Sequence, residues 1–293
     1  MAALWSTVTA GAARLAAAQP SYVLAALALY VFSVFVTGVR WRGFLRALGG
    51  DVSVLQAGLA TLGGIAVGNV TPSRFGSDPC RVALVRLTGQ VTWAQVTLAA
   101  AWDRLSEVPA VALLVVMSAF AVGEVDFPWR RAALATALAA ALIAAGVSIH
   151  RLRRSRGSLR SWIASLKLDR VSPTVLAAGV GYSTLLWLLD VLRLSSAALA
   201  LGVHLSPSQT ATLAVSTIVG GLVPTVGGLA VVEGGLVAAL MAFGVDVPTA
   251  VAVTAVERAI SYGFSTVAGG LVAVMMGGRS LWSLATRRRA DAA

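Results

Sequence analysis

The sequence predicts an all-α polytopic membrane protein made of two inverted-topology repeats, each with a re-entrant or broken helix pair at a Pro-Gly motif. Three observations predict it. Of 293 residues, 58% are hydrophobic and 12% charged, with a mean hydropathy of +0.84; a soluble domain carries about 25% charged residues. Apolar runs of roughly the 20 residues needed to cross a hydrocarbon core recur along the chain. An ordered set of residues that rarely match by chance is repeated about 153 positions further on.

The elements follow in order. Residues 1–19 lack the basic start and long apolar middle of a signal peptide and are expected to form an amphipathic interfacial helix. The first repeat, 20–130, holds spans at about 21–39, 52–70 and 93–122, with a re-entrant pair around Pro72. Residues 131–172 supply a linking span, 131–149, and the basic stretch HRLRRSRGSLRSWIASLKLDR, 150–170. The second repeat, 173–278, holds spans 173–201 and 247–276 and two weaker apolar stretches, 208–222 and 225–243, that flank Pro224. Residues 279–293 form a basic tail. Trp41, Trp93, Trp129 and Trp282 lie near span ends and are expected at membrane interfaces. Gly63, Gly64, Gly68, Gly227 and Gly228 are expected to let helices approach closely.

The repeat rests on specific pairs. Arg40, Gly49, Ser53 and Gln56 correspond to Arg193, Gly202, Ser206 and Gln209; Pro72 and Gly76 to Pro224 and Gly228; Asp103-Arg104 to Glu257-Arg258. The net charge of +11 is nearly all arginine, Lys167 being the only lysine. Its placement at span ends points to positive-inside topology and anionic lipid rather than to nucleic acid. Arg40, Arg42, Arg46, Arg81 and Arg86 put both ends of the first re-entrant pair in the cytoplasm. The acidic loop Glu124–Asp126 then falls outside, as do Arg130 and Arg131, which run against the rule. The basic loop 150–170 and the C-terminus are placed in the cytoplasm of a prokaryotic plasma membrane. These directions reverse in the second half, a recurring design among transporters.

Polar groups at membrane depth mark the candidate site. Non-helical backbone there is tolerated only when buried or facing a wet cavity, so the turns at Pro72 and Pro224 are expected to aim backbone N–H groups at a shared central space suited to a phosphate. Arg74 and Arg81 offer bidentate contacts to it, and Asp78 sits three residues from Arg81. Asp103-Arg104 and Glu257-Arg258 lie about ten residues into their spans, and Asp190 with Arg193 adds another pair; charges at such depth usually face an interior or a cavity. A structural role as register-fixing ion pairs competes with this reading. Glu233 is expected to be unpaired and proton-exchanging. One cysteine, Cys80, and the distant His150 and His204 argue against disulfides and a Cys/His metal site, and no cofactor is expected.

At these residues the chain resembles the lysylphosphatidylglycerol synthase/flippase transmembrane family. The likeness lies in VRWRGFLRALG (39–49), NVTPSRFGSDPCRVALVR (69–86), AWDRLSEVPAV (101–111), VPTVGGLAVVEGGLVAALMAFGV (223–245) and AVERAISY (255–262). Pro72, Arg74, Gly76, Asp78 and Arg81 satisfy the first Pro motif. Pro224, Gly227, Gly228 and Glu233 satisfy the second, where Ala230 replaces a later glycine. The likeness covers about residues 20–276, with no aminoacyl- or glycosyltransferase domain; residues 1–19 are too short for the additional span that members generally carry. It implies movement of lipids between leaflets, with an anionic phospholipid or polyisoprenoid-phosphate lipid as cargo. In that scheme Arg40, Asn69, Arg74, Asp78, Arg81, Arg104, Arg193 and Arg258 hold the head group, while Asp103, Asp190, Glu233 and Glu257 serve coupling or ion pairing. Two other readings remain: an intramembrane enzyme acting on a lipid phosphate, for which no nucleophile–base pair is evident, and a non-transporting partner of a cell-envelope glycosyltransferase, docked through loop 150–170.

Overall fold

The computed structural model describes residues 10–72, 76–88, 91–123 and 171–290. Among these, a short helical stretch at residues 10–16 is followed by α1 (Pro20–Ala47), α2 (Val54–Asn69), α3 (Ser77–Thr88) and α4 (Trp93–Gly123). Beyond the gap come α5 (Pro173–Leu199), α6 (Pro207–Leu222), α7 (Val231–Ala242), α8 (Val247–Arg258), a π-helical turn (Ala259–Phe264) and α9 (Ser265–Ala290). The predicted span 131–149, the acidic loop, Arg130, Arg131 and the loop 150–170 lie outside the described residues, as does Arg74. Among the described residues, three helical segments are long and apolar enough to cross a membrane: Pro20–Ala47, Pro173–Leu199 and Val247–Gly278.

Local chemistry sets the boundaries, and it does so twice. Ser53 and Gln56 form a capping box at the start of α2, and Ser206 and Gln209 form the same box at the start of α6; each satisfies two backbone donors that helix geometry leaves open. The chain leaves α1 at Gly49 (φ 81°) and α5 at Gly202 (φ 73°), left-handed positions where a side chain is strained. The sequence pairs recorded in the two halves thus recur as the same local structures.

Two boundaries differ from the sequence reading. Helix α1 continues to Ala47 instead of stopping near 39, because Arg40 is buried and neutralised within it. The apolar stretch expected at 225–243 becomes helical only at Val231. Residues Gly227, Gly228 and Ala230 all have positive φ (59°, 78° and 67°), so the turn after Pro224 is long. It meets the other turn directly: Pro72 and Val226 form an isolated antiparallel bridge, and the Gly227 amide donates to the Thr71 carbonyl at 3.4 Å.

Packing is apolar and close. One core gathers Trp41, Phe44, Leu45 and Val85; a second gathers Leu194, Leu213, Leu236 and Leu240; a smaller one with Tyr30 and Val256 lies between α1 and α8. Small residues set the helix distances. A Cβ at Gly38 would stand 2.7 Å from the Gly58 nitrogen, and one at Gly64 2.6 Å from the Ser77 carbonyl. Trp41, expected at an interface, is instead wholly buried, whereas Trp93 is exposed.

Two stability predictions follow from this backbone. A Cβ at Gly269 would collide with the Leu62 carbonyl of α2 and lie 2.9 Å from Ala66 Cβ, while at Gly270 it would meet nothing. Gly269→Ala is expected to cost about 1–3 kcal/mol through overpacking and lower the thermal midpoint in detergent, with Gly270→Ala as the unaffected control. Ala230→Gly relieves a left-handed alanine and is expected to raise the midpoint, by a gain of about 1 kcal/mol.

Candidate functional site

About a third of the way along α4, Asp103 is fully buried and each of its oxygens holds an arginine. Arg40 Nε from α1 donates to Oδ1 at 2.7 Å and Arg81 Nη1 from α3 to Oδ2 at 2.9 Å. Arg40 also reaches Glu107 Oε1 (2.6 Å) and Ser183 Oγ on α5 (2.8 Å). Arg81 donates to Asp78 (3.0 Å), with its guanidinium 4.4 Å from the Trp41 ring centre. Arg104 forks onto both oxygens of Asp78, at 2.8 Å each, and donates to Glu107 Oε2 at 3.0 Å. Three arginines thus meet three carboxylates. A lone buried ion costs several kcal/mol, which only close pairing offsets.

The second half repeats the central contact. Arg193 Nη1 donates to Glu257 Oε1 at 2.9 Å, the counterpart of Arg40 on Asp103, and also binds Asp190 at 2.6 Å. Arg258 donates to Glu233 at 2.6 Å and lies 4.8 Å from the Tyr262 ring centre. Glu233 is therefore paired, contrary to the sequence expectation; the partner lies 25 residues away and only the fold of α7 against α8 brings it near. Asp78 and Glu233 both sit in the first turn of the helix that follows a Pro motif, where helix N-termini favour negative charge. The protein's own carboxylates thus stand where a phosphate was expected. The turns also give part of their backbone polarity to each other, through the Gly227–Thr71 hydrogen bond.

A cavity of about 670 Å³ opens beside the first cluster, bounded by residues of α1 to α6. Of the predicted site residues, Arg40, Asn69, Asp78, Arg81, Arg104 and Asp190 line it. Asp103, Arg193, Glu233, Glu257 and Arg258 do not. Arg40 and Arg81 have side chains only 2% and 4% exposed, whereas Arg104 is 50% and Asp78 35% exposed. A molecule in the cavity therefore meets one half-exposed guanidinium, already paired, and the carboxylates of Asp78, Glu107 and Asp190. Of the arginines expected to hold a head group, each described one is matched by acid, so they present no general positive field here.

Asn69 is buried, and its amide donates to Ser265 (2.8 Å) and Thr266 (2.9 Å) on α9, fastening the end of α2 to the helix beyond the π-turn. Arg40 and Arg81, read from sequence as markers of the cytoplasmic side, are interior ion-pair partners and carry no topological information. Glu107, Ser183 and Trp187 belong to this site and were missed. Glu107 had a signal, four residues after Asp103 and three after Arg104 on one helix face. Ser183 had none, being on a helix 76 positions further along the chain. Outside the site, Asp51 lies in the exposed loop after α1, where hydrogen bonds from Arg46 and then Arg42 hold its carboxyl well below the usual carboxylate range.

The chain belongs to the family described as the lysylphosphatidylglycerol synthase TM region, whose model matches residues 1–269 and so includes the N-terminal stretch left outside the sequence resemblance. It is similar to a UPF0104 membrane protein of Methanothermobacter thermautotrophicus, 26% identical over 278 residues, covering 84% of this chain and 82% of that one. A UPF0104 membrane protein of Pyrococcus horikoshii is 23% identical over 295 residues, covering 86% of each. With its several apolar helices, the chain is a multi-pass membrane protein.

Removing the shared counter-ion tests how strongly the site supports the fold. Asp103→Ala leaves Arg40 and Arg81 without it and is expected to cost about 3–5 kcal/mol, read as a large fall in thermal midpoint in detergent. Asp51→Ala, at an exposed pair, is expected to change the midpoint little.

Proposed function

We propose that this chain is a lipid translocase, a flippase or scramblase, that passes a phosphate-bearing head group through the cavity beside Arg104 while the tails stay in lipid. The carrying observation is that cavity, about 670 Å³, with a half-exposed guanidinium on its wall. A planar guanidinium is the natural bidentate partner of a phosphate. The name of the family, which refers to a phosphatidylglycerol derivative, supports a lipid cargo. Matched contacts in the two halves support inverted repeats with re-entrant pairs at Pro72 and Pro224, and hence access from both leaflets. In this reading the protein sits in a prokaryotic plasma membrane with loop 150–170 and the C-terminus in the cytoplasm, and moves lipid without altering it chemically.

The cavity wall also narrows the cargo. Arg104 is already bound to Asp78 and Glu107, so an incoming phosphate must take it from a carboxylate. Those carboxylates, and that of Asp190, are acceptors that then require donors. A head group with hydroxyls beside its phosphate, such as phosphoglycerol or a polyprenyl-linked sugar phosphate, supplies both. A bare polyprenyl phosphate supplies only the anion.

Leaflet exchange of labelled lipids in proteoliposomes tests this. Wild-type protein is expected to speed exchange of phosphatidylglycerol more than that of a polyprenyl monophosphate. Arg104→Gln is expected to slow exchange by about tenfold or more, in line with loss of charge-assisted bonds worth roughly 1.5–3 kcal/mol. Arg42→Gln, at the exposed Asp51 pair, should leave the rate unchanged. Absence of exchange with any lipid, from folded wild-type protein, would sink the reading.

A further inference from the structure

The two halves differ in charge at one corresponding position. At the 152-residue offset that relates Pro72 to Pro224 and Gly76 to Gly228, Arg81 corresponds to Glu233. In the first half, Arg81 supplies the second of the two arginines on Asp103. In the second half, Glu233 turns to Arg258, and Glu257, the counterpart of Asp103, keeps Arg193 alone. Arg193 occupies Glu257 Oε1 at 2.9 Å; Oε2 is buried with no hydrogen-bond partner among the described residues, on a residue only 2% exposed. Arg193 must also serve Asp190, at 2.6 Å. Two carboxylates share one cation, so this trio has an unmatched negative charge, whereas the first cluster balances three against three.

A buried acceptor without a donor, carrying net charge in apolar surroundings, is among the most costly arrangements in a folded chain. A proton on Glu257 Oε2 removes the charge cost, because the trio becomes neutral and the carboxylate becomes a carboxyl. The charged and titratable groups around Glu257 do not supply this balance from elsewhere. Arg193 is divided with Asp190, and Arg258 on the same helix pairs with Glu233 of α7. Arg14 lies beside Asp246, at the opposite end of α8. Asp190 lines the cavity, so the trio spans from water to the buried carboxylate. The helix immediately after Glu257-Arg258 is a π-turn, a local widening often found at functional positions.

We propose that Asp190, Arg193 and Glu257 form a proton-binding site that exchanges one proton with the cavity. A hydronium in the cavity gives up its proton, water remains, an O–H bond forms at Glu257, and the trio goes from one net negative charge to none. Resting on the translocase reading, this proton is the coupling ion: its arrival and departure change the charge of a unit whose outer member, Asp190, faces the cargo.

pH-difference infrared spectroscopy of the protein in lipid nanodiscs reads the site without any cargo. Wild type is expected to show a protonated-carboxyl stretch that appears as pH falls and corresponds to one group. Glu257→Gln removes the proton acceptor, and Asp190→Asn removes the surplus charge while keeping the Arg193–Glu257 pair; both are expected to lose the signal. Because Asp190→Asn preserves the buried contact, it stays informative if Glu257→Gln fails to fold. No such stretch in wild type, or its survival in the folded variants, overturns the proposal. In proteoliposomes, a pH gradient is expected to bias lipid exchange in wild type and not in Asp190→Asn. A titrating infrared signal without lipid exchange keeps the proton site and discards the translocase reading.

Discussion

The structure depends on the cost of keeping Asp103 ionised where no water reaches it. With no exposure at all, its carboxylate is tolerable only because Arg40 and Arg81 each hold one oxygen. Those two arginines come from different helices, so the electrostatic requirement also fixes how α1, α3 and α4 stand together. Arg40 adds α5 through Ser183. A single buried charge thereby ties four helices in register, and the apolar side chains around it, such as Trp41 and Phe44, fill the space those contacts leave.

The cavity follows from the same constraint. The arginines that neutralise Asp103 are all but buried in its wall, and of the three only Arg104, bound to the less buried Asp78 and Glu107, is substantially exposed. What looks in composition like a strongly cationic protein thus presents a balanced polar face at its centre. Basic excess resides elsewhere in the chain.

The halves are alike where backbone geometry matters and different where charge matters. Capping boxes, left-handed glycines and the central arginine–acid contact recur. Yet the position that adds an arginine in the first half adds a glutamate in the second, and the cavity is lined by most of the first cluster but only by Asp190 of the second. Recurring local structure with unequal charge thus gives two distinct polar centres, one lining the cavity and one that touches it through Asp190.

Much of this was legible in the sequence because it depends on residue type and spacing alone. The apolar runs, the Pro-Gly turns and the place of Asp103-Arg104 within an apolar run are properties of neighbouring residues, so local chemistry determined them. The spacing of Glu107 from Arg104 was equally readable. Tertiary structure alone decided who neutralises whom. Glu233 found Arg258, Trp41 moved from an expected interface to the face of Arg81, Ser183 joined Arg40 across 143 residues, and Asn69 turned to α9. The reason is physical: pairing of buried charges depends on distances of a few ångströms between helices far apart in the chain, and one-dimensional order does not encode those distances until packing sets them.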